Sequence, residues 1–130
     1  ATGILSAQQI VMAAEAGAEY MAPYINRSDN IGESGVEIVR DAYRILQMTK
    51  KTDEECMNRY KRIFEPKILG ASFKNVRQVH ETMMAGSKSV TISADVFERL
   101  IYHPYTDWSM DTFNSDWEKV YGDSTLLDLL

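Results

Sequence analysis

The sequence predicts an α/β protein in which helices cover a parallel sheet. Short apolar runs alternate with longer segments of helical periodicity, and the connections between them are short. Two passages from helix to strand, "AAEAGAEYMAP" and "TMMAGSKSVTI", are alike, since each ends a helix with Ala-Gly and enters a strand within a few residues. Four β-α units with such connections require a parallel sheet, because each helix then serves as a crossover between neighbouring strands.

The predicted strands are the four short apolar runs, each bounded by polar or turn-forming residues. They contain the segments "TGIL", "EYMAPY", "KILGA" and "SVTI". We therefore expect strands near residues 1–5, 19–24, 67–71 and 89–92.

The first two helices are predicted from capping residues and from apolar periodicity. Ser6 is the expected N-cap of an alanine-rich helix that ends at Gly17. Residues 26–35, "NRSDNIGESG", are rich in turn-forming residues and are predicted to be a loop. A second helical pattern then runs from Val36 through Leu46.

The second half of the chain begins with a charged segment, residues 47–66, which interrupts the alternation. This segment either extends the preceding helix or forms another one from about Thr52 to Phe64. Further helices are expected from Asn75 and from Ser93, each following one of the last two strands.

The carboxyl-terminal part of the chain is aromatic and helical in pattern. His103-Pro104 is predicted to end the last helix of the four β-α units, which occupy residues 1–104. Residues 105–130 form a separate helical tail, a candidate contact with another subunit, in which four aromatic residues recur at near-helical spacing: Trp108, Phe113, Trp117 and Tyr121.

Length, charge and composition describe one globular unit. The 130 residues are 45% hydrophobic and carry a net charge of −5 with dispersed basic residues, so we expect no nucleic-acid partner. There is no membrane-spanning run or signal-peptide pattern, and Cys56 is the only cysteine, so a cytoplasmic location is predicted. Because the chain begins on an apolar run without methionine, we expect further residues upstream.

Nucleotide-binding motifs are absent, whereas the size matches part of a barrel. Neither GxGxxG nor GxxxxGK[ST] occurs in the sequence. A complete eight-stranded β/α barrel needs about 200 residues or more, of which this chain supplies about half.

Candidate site residues follow from the rule that β/α proteins place their chemistry at the carboxyl ends of strands. In the stretch "MAPYINRSDNIG", an apolar strand gives way to polar side chains where it ends. Applied to all four strands, the rule selects Thr2, Ser6, Ala22, Tyr24, Asn26, Arg27, Ser72, Phe73, Lys74 and Ser93.

An anion site is the most specific chemistry that these residues suggest. The guanidinium of Arg27 suits phosphate or carboxylate, and Ser72 precedes a helix whose N-terminal N–H groups favour an anion. The alternatives are that Arg27 pairs with Asp29 or Asp41 at the surface, that Tyr24 is a packed aromatic residue, and that Ser72 is a helix cap.

Metal and thiol chemistry lack support in the sequence. His80 lies in a predicted helix, and neither it nor His103 has neighbours at metal-ligand spacing. Cys56 has no partner that would make it a nucleophile. We expect neither a metal ion nor a cofactor.

Four blocks of the sequence, in order, resemble the small bacterial transaldolases and fructose-6-phosphate aldolases. The blocks are "AGAEYMAPYINRSDNIG", "ILGASFKNVRQV", "AGSKSVTIS" and "HPYTDWSMDTFNSDWEKVYG". The resemblance covers nearly the whole chain and is weakest over residues 47–66. It implies strands five to eight of a (β/α)8 TIM barrel, followed by a C-terminal helix that packs onto a neighbouring subunit in many members.

The resemblance also implies roles for five residues. Tyr24 occupies the position of a proton-transfer tyrosine that is typical of the aldolases, where transaldolases usually have phenylalanine. Arg27 and Ser72 fall on sugar-phosphate positions, and Thr2 and Ala22 fall on pocket positions beside the catalytic lysine. Asn26 departs from the glycine that often precedes this arginine.

The catalytic lysine itself is the main departure from the family pattern. The family forms a Schiff base between a strand-four lysine and a ketose carbonyl, and no lysine of this chain matches that position. We expect either the C-terminal portion of an oligomeric class I aldolase or transaldolase acting on sugar phosphates, or a half-barrel that binds an anion or assembles without catalysis. The expected partners are a sugar phosphate and either the N-terminal half or a second copy of the chain.

Overall fold

The computed structural model describes residues 1–129, and their contacts divide into two compact units. The first unit is Ala1–Phe97 and the second begins at Glu98. The strands are β1 (Thr2–Ile4), β2 (Tyr20–Pro23), β3 (Lys67–Gly70) and β4 (Ser89–Val90). The helices are α1 (Ala7–Glu15), α2 (Ile25–Asn30), α3 (Gly35–Met48), α4 (Asp53–Tyr60), α5 (Val76–Met84), α6 (Ala94–Ile101) and α7 (Pro104–Tyr121), followed by a 3₁₀ helix (Leu126–Leu129).

The four strands form one parallel sheet in the order β1-β2-β3-β4, which confirms the α/β prediction. Parallel strands joined by right-handed crossovers in sequential order place every helix on the same face of the sheet. A doubly wound sheet would reverse its order and cover both faces. The topology is therefore consistent with part of a TIM barrel.

The core lies between this sheet and its helices. Met21 and Ile68 are neighbours in register across β2 and β3, and both side chains are buried under the helices. Val39 of α3 and Val79 of α5 are buried against the same cluster. Tyr20 projects from the other face of β2 and is 46% exposed, so only one face of the sheet is covered within this unit.

The loop predicted over residues 26–35 is wrong in its first part, because Ile25–Asn30 forms α2. The first N–H groups of a helix have no partner within the helix. In α2, two of these N–H groups donate to carbonyl groups of the residues that follow β3. Ile25 N donates to Ala71 O at 2.9 Å, and Asn26 N donates to Ser72 O at 2.9 Å. Bonds from a distant segment thus stabilise a helix whose own residues favour turns.

The predicted capping residues are confirmed at α1 and α5. Ser6 Oγ accepts the N–H of Gln9 at 3.2 Å, and Asn75 Oδ1 accepts the N–H of Gln78 at 2.9 Å. Helix α6 ends at Ile101, just before His103-Pro104. Pro104 is also the first residue of α7, a position that proline favours because the first N–H of a helix has no partner within the helix.

The charged segment folds as α4 at the amino ends of the strands. Thr52 and Glu55 form a reciprocal capping box at its start. Lys51 forms an ion pair with Glu15 of α1, and the hydrogen bond to this carboxylate raises the pKa of Lys51. A cavity of about 200 Å³ lies between α1, α3 and α4, and the buried Cys56 contributes to its wall.

The second unit consists of the end of α6, all of α7 and the 3₁₀ helix. Its internal contacts include a hydrogen bond of 2.8 Å from the Trp117 indole to Ser124 O, and the ring centroids of Trp117 and Tyr121 are 4.5 Å apart. Among residues 1–129, no helix combines the length and apolarity that crossing a membrane requires.

Candidate active site at the carboxyl ends of the strands

Four of the predicted site residues lie close together on neighbouring strands, towards the carboxyl ends of β2 and β3. Thr2 of β1 and Ala22 of β2 are neighbours in register. Tyr24 directly follows β2 and bridges to Ala71, and Ser72 is the next residue after that bridge. Four predicted positions on three strands are thus within one cluster, although they are separated by up to 70 residues in sequence.

The hydroxyl of Tyr24 faces β1. Thr2 Oγ1 donates a hydrogen bond to the Tyr24 hydroxyl oxygen at 3.2 Å. The backbone N–H of Tyr24 donates to Ile4 O at 3.0 Å, which fixes the residue against β1. Tyr24 is therefore held against β1 by one side-chain contact and one backbone contact, and the hydrogen of its hydroxyl is free to donate to another group.

The guanidinium of Arg27 stacks on the ring of Tyr24, 4.5 Å from the ring centroid. At an exposed site such a contact contributes about 0.5–1 kcal/mol. Asp29 faces away from this arginine, because its two oxygens accept the N–H of Gly35 at 2.9 Å and the side-chain amide of Gln78 at 2.6 Å. Within residues 1–129, Arg27 has no carboxylate partner, so the surface ion pair with Asp29 or Asp41 does not form.

Ser72 occupies a strained position at the end of β3. Its φ of 64° is in the left-handed region, which non-glycine residues seldom adopt and which recurs at binding sites. Its carbonyl holds the start of α2 through Asn26, and α5 begins four residues later at Val76. Ser72 therefore lies between the helix that carries Arg27 and the N-terminus of another helix.

Gln78 is not among the predicted site residues, although it contacts two residues of α2. Its position, three residues after Asn75, is typical of helix capping, and this much was readable from the sequence. Its amide also donates to Asn26 Oδ1 at 3.2 Å and to Asp29 Oδ2, which links α5 to α2. No local pattern indicates such a contact, because 52 residues separate Gln78 from Asn26.

The lysines of the chain lie in loops, in helices or at the amino ends of strands. Lys67 begins β3, and Lys88 precedes β4. Lys74 follows β3 on the same side as Ser72, and it is exposed. Across residues 1–129, no group of three or more histidine, cysteine, aspartate or glutamate side chains is arranged to hold a metal ion.

A parallel sheet with helices on one face, and polar side chains grouped towards the carboxyl ends of its strands, is an arrangement found in β/α barrels. The chain belongs to the Transaldolase/Fructose-6-phosphate aldolase family, whose profile matches residues 1–125. This match confirms the family resemblance of the four sequence blocks.

Two curated relatives are each named "Probable transaldolase". The protein from Lactiplantibacillus plantarum is 34% identical over 117 residues, which cover 90% of this chain and 48% of the relative. The protein from Agathobacter rectalis is 32% identical over 122 residues, which cover 94% of this chain and 50% of the relative. The chain therefore spans about half the length of the curated relatives that it matches.

Proposed function

We propose that this chain is the C-terminal half of a class I aldolase or transaldolase that acts on sugar phosphates such as fructose 6-phosphate. In this proposal β1 to β4 are strands five to eight of a (β/α)8 barrel, and α7 is the C-terminal helix. The observation that carries it is the group formed by Thr2 of β1 with Ala22, Tyr24 and Ser72, towards the carboxyl ends of β2 and β3 in a sequentially ordered parallel sheet. The sheet order and the half-length match to the relatives support the barrel assignment.

The nucleophile in this proposal is a lysine of strand four, which belongs to the N-terminal half. A lysine attacks a ketose carbonyl only as the free amine, and a buried pocket lowers its pKa enough to supply that form. Ala22 is buried beside Thr2 and has a small side chain, which suits a wall close to the reacting carbon. The N-terminal half, or a second copy of the chain, would complete the barrel.

Tyr24 is the proposed proton-transfer group, acting through an ordered water. Its hydroxyl accepts a hydrogen bond from Thr2 and keeps its own proton available for donation. A tyrosine at this position favours the aldolase reaction, in which a carbon atom of the donor substrate must gain or lose a proton. General acid–base catalysis of this kind contributes about 10²–10⁴-fold in rate.

Arg27, Ser72 and the N-terminus of α5 are the proposed phosphate site. Arg27 stacks on Tyr24 without a carboxylate partner among the described residues, so its donors remain available to an anion. The hydroxyl of Ser72 and the backbone N–H groups at the start of α5 are neutral donors nearby, and the dipole of α5 also favours an anion there. Phosphate recognition by a guanidinium fork and backbone N–H groups is strong because the bonds are charge-assisted.

Assembly into a homo-oligomer in the cytoplasm completes the proposal. The second unit supports it through a group of exposed apolar side chains on α7: Tyr105, Trp108, Met110, Phe113 and Val120. A second candidate, a half-barrel that binds an anion or assembles without catalysis, is favoured by Tyr20, which is 46% exposed on the uncovered face of the sheet.

Substrate selectivity of an Arg27→Ala variant of the complete protein tests the phosphate site. Losing a charge-assisted hydrogen bond costs about 1.5–3 kcal/mol, so the KM for phosphorylated substrates should rise about tenfold or more. Unphosphorylated donors such as dihydroxyacetone should be affected little. Arg44→Ala is the matched control, because it removes an exposed arginine of α3 that is not among the candidate site residues. Equal losses on both substrate classes, or an equal effect of Arg44→Ala, would refute the assignment.

A further inference from the structure

The side chain of Gln78 links its own helix, α5, to two other segments around the candidate phosphate site. Its Oε1 accepts the N–H of Lys74, in the turn that follows Ser72, at 2.9 Å. Its Nε2 donates to Asn26 Oδ1 at 3.2 Å and to Asp29 Oδ2 at 2.6 Å, both in α2. One amide therefore connects the Ser72 turn with the helix that carries Arg27, and all its polar atoms are used.

The orientation of this amide follows from its partners. If it were rotated by half a turn, Oε1 would face the carboxylate of Asp29, and Nε2 would face the N–H of Lys74. Both contacts would then be repulsive. The other oxygen of Asp29 accepts the N–H of Gly35 at the start of α3, so the same chain of bonds extends to a third helix.

Gln9 of α1 shows that capping does not require these bonds. Gln9 occupies the same position after its N-cap, Ser6, and its Oε1 accepts the N–H of Leu5 at 2.8 Å. The two glutamines thus close their helices in the same way. The bonds to α2 are specific to Gln78, and they are the part that capping leaves unexplained.

Helix α2 depends on contacts from outside itself. It has six residues, and its N-cap, Tyr24, makes no side-chain capping bond. A helix this short is unstable in isolation, so its position is set by the backbone bonds to Ala71 and Ser72 and by Gln78. A change in that position moves Arg27 relative to Ser72.

We infer that Gln78 is a positioning residue that fixes α2 against the Ser72 turn and thereby holds Arg27 and Ser72 at the separation that a phosphate group requires. This inference rests on the proposed function. It assigns to Gln78 no contact with substrate. The contribution of Gln78 is specific to phosphorylated substrates, because unphosphorylated substrates do not bind between Arg27 and Ser72.

The test is the Gln78→Glu substitution in the complete protein. Glutamate keeps the acceptor for the N–H of Lys74 but places a carboxylate oxygen against Asp29. The KM for fructose 6-phosphate should rise about tenfold, with kcat and the kinetics on dihydroxyacetone little changed. Inorganic phosphate should become a correspondingly weaker competitive inhibitor.

Rescue is expected from the double variant that combines Gln78→Glu with Asp29→Asn. The amide introduced in place of the Asp29 carboxylate would donate to the new glutamate, while its oxygen still accepts the N–H of Gly35. The link is thus rebuilt with its polarity reversed. Gln78→Met removes the link without adding a charge and should raise the same KM, which keeps the test decisive if Gln78→Glu proves too unstable.

Two further variants separate the possible failures. Gln9→Glu is the matched control and should leave all kinetics unchanged. If Arg27→Ala is selective for phosphorylated substrates and both Gln78 variants are not, the positioning role is wrong and the phosphate site stands. If Arg27→Ala shows no selectivity, the phosphate site fails, and the role of Gln78 fails with it. A loss in the Gln78 variants that the double variant does not restore also contradicts the inference.

Discussion

In the complete protein, Tyr24→Phe removes one oxygen atom from the candidate site and leaves the rest of the side chain in place. The structural loss is the hydrogen bond of 3.2 Å from Thr2, which is exposed to solvent. A hydrogen bond contributes about 0.5–1.5 kcal/mol to stability, and we expect the lower end of that range here. The contact of Arg27 with the ring is retained.

The catalytic loss should be much larger than the structural one. Removing a general acid or base costs about 10²–10⁴-fold in turnover, which is about 2.7–5.5 kcal/mol of activation free energy. The assay is kcat for cleavage of fructose 6-phosphate, measured alongside the thermal midpoint and the yield of the borohydride-trapped adduct. We expect kcat to fall, with the midpoint and the adduct largely preserved, because the Schiff base forms on a separate lysine.

Tyr20→Phe is the matched control for this experiment. Tyr20 lies four residues earlier, at the amino end of β2, whereas Tyr24 directly follows the carboxyl end of that strand. The hydroxyl of Tyr20 should be dispensable for turnover. Unchanged kcat in Tyr24→Phe, or an equal fall in Tyr20→Phe, would remove the Tyr24 hydroxyl from the mechanism.

Two further predictions concern stability and are read by thermal or denaturant unfolding. A Cβ atom added at Gly86 would lie 2.7 Å from Cδ1 of Tyr43, and the φ of Gly86 is +113°. Gly86→Ala should therefore destabilise the protein by about 2–4 kcal/mol. An unchanged unfolding midpoint would contradict the close contact between Gly86 and the Tyr43 ring. Ser87 Oγ accepts the N–H of Gly70 at 3.0 Å inside the sheet, so Ser87→Ala should cost about 1–3 kcal/mol, and a neutral result would mean that the N–H finds another partner.

The strands and most helix starts could be predicted from the sequence because their signals are local. The caps at Ser6 and Asn75 combine an oxygen-bearing side chain with a following apolar periodicity, whereas Thr52 precedes three acidic residues, and each of the three is at the start of a helix in the structure. The parallel sheet followed from the order of elements alone, since short helical connections leave no antiparallel alternative.

Helix α2 and the role of Gln78 could not be predicted, because both depend on contacts between distant segments. Asn26, Ser28 and Asp29 favour turns when they are considered alone. The carbonyl groups of Ala71 and Ser72 make the helix possible, and they lie more than 40 residues away in sequence. The sequence also predicts a loop at Arg27, whereas in the structure Arg27 lies on a short helix and its guanidinium packs over the ring of Tyr24.

Mapping the borohydride-trapped adduct tests the central proposal most directly. The complete protein is reduced in the presence of fructose 6-phosphate, and the modified peptide is then identified by mass spectrometry. We expect the adduct on a lysine outside these 130 residues, and none when this chain is treated alone. An adduct on Lys74, or on another lysine of this chain, would contradict the assignment of the chain as the half of the barrel that lacks the nucleophile.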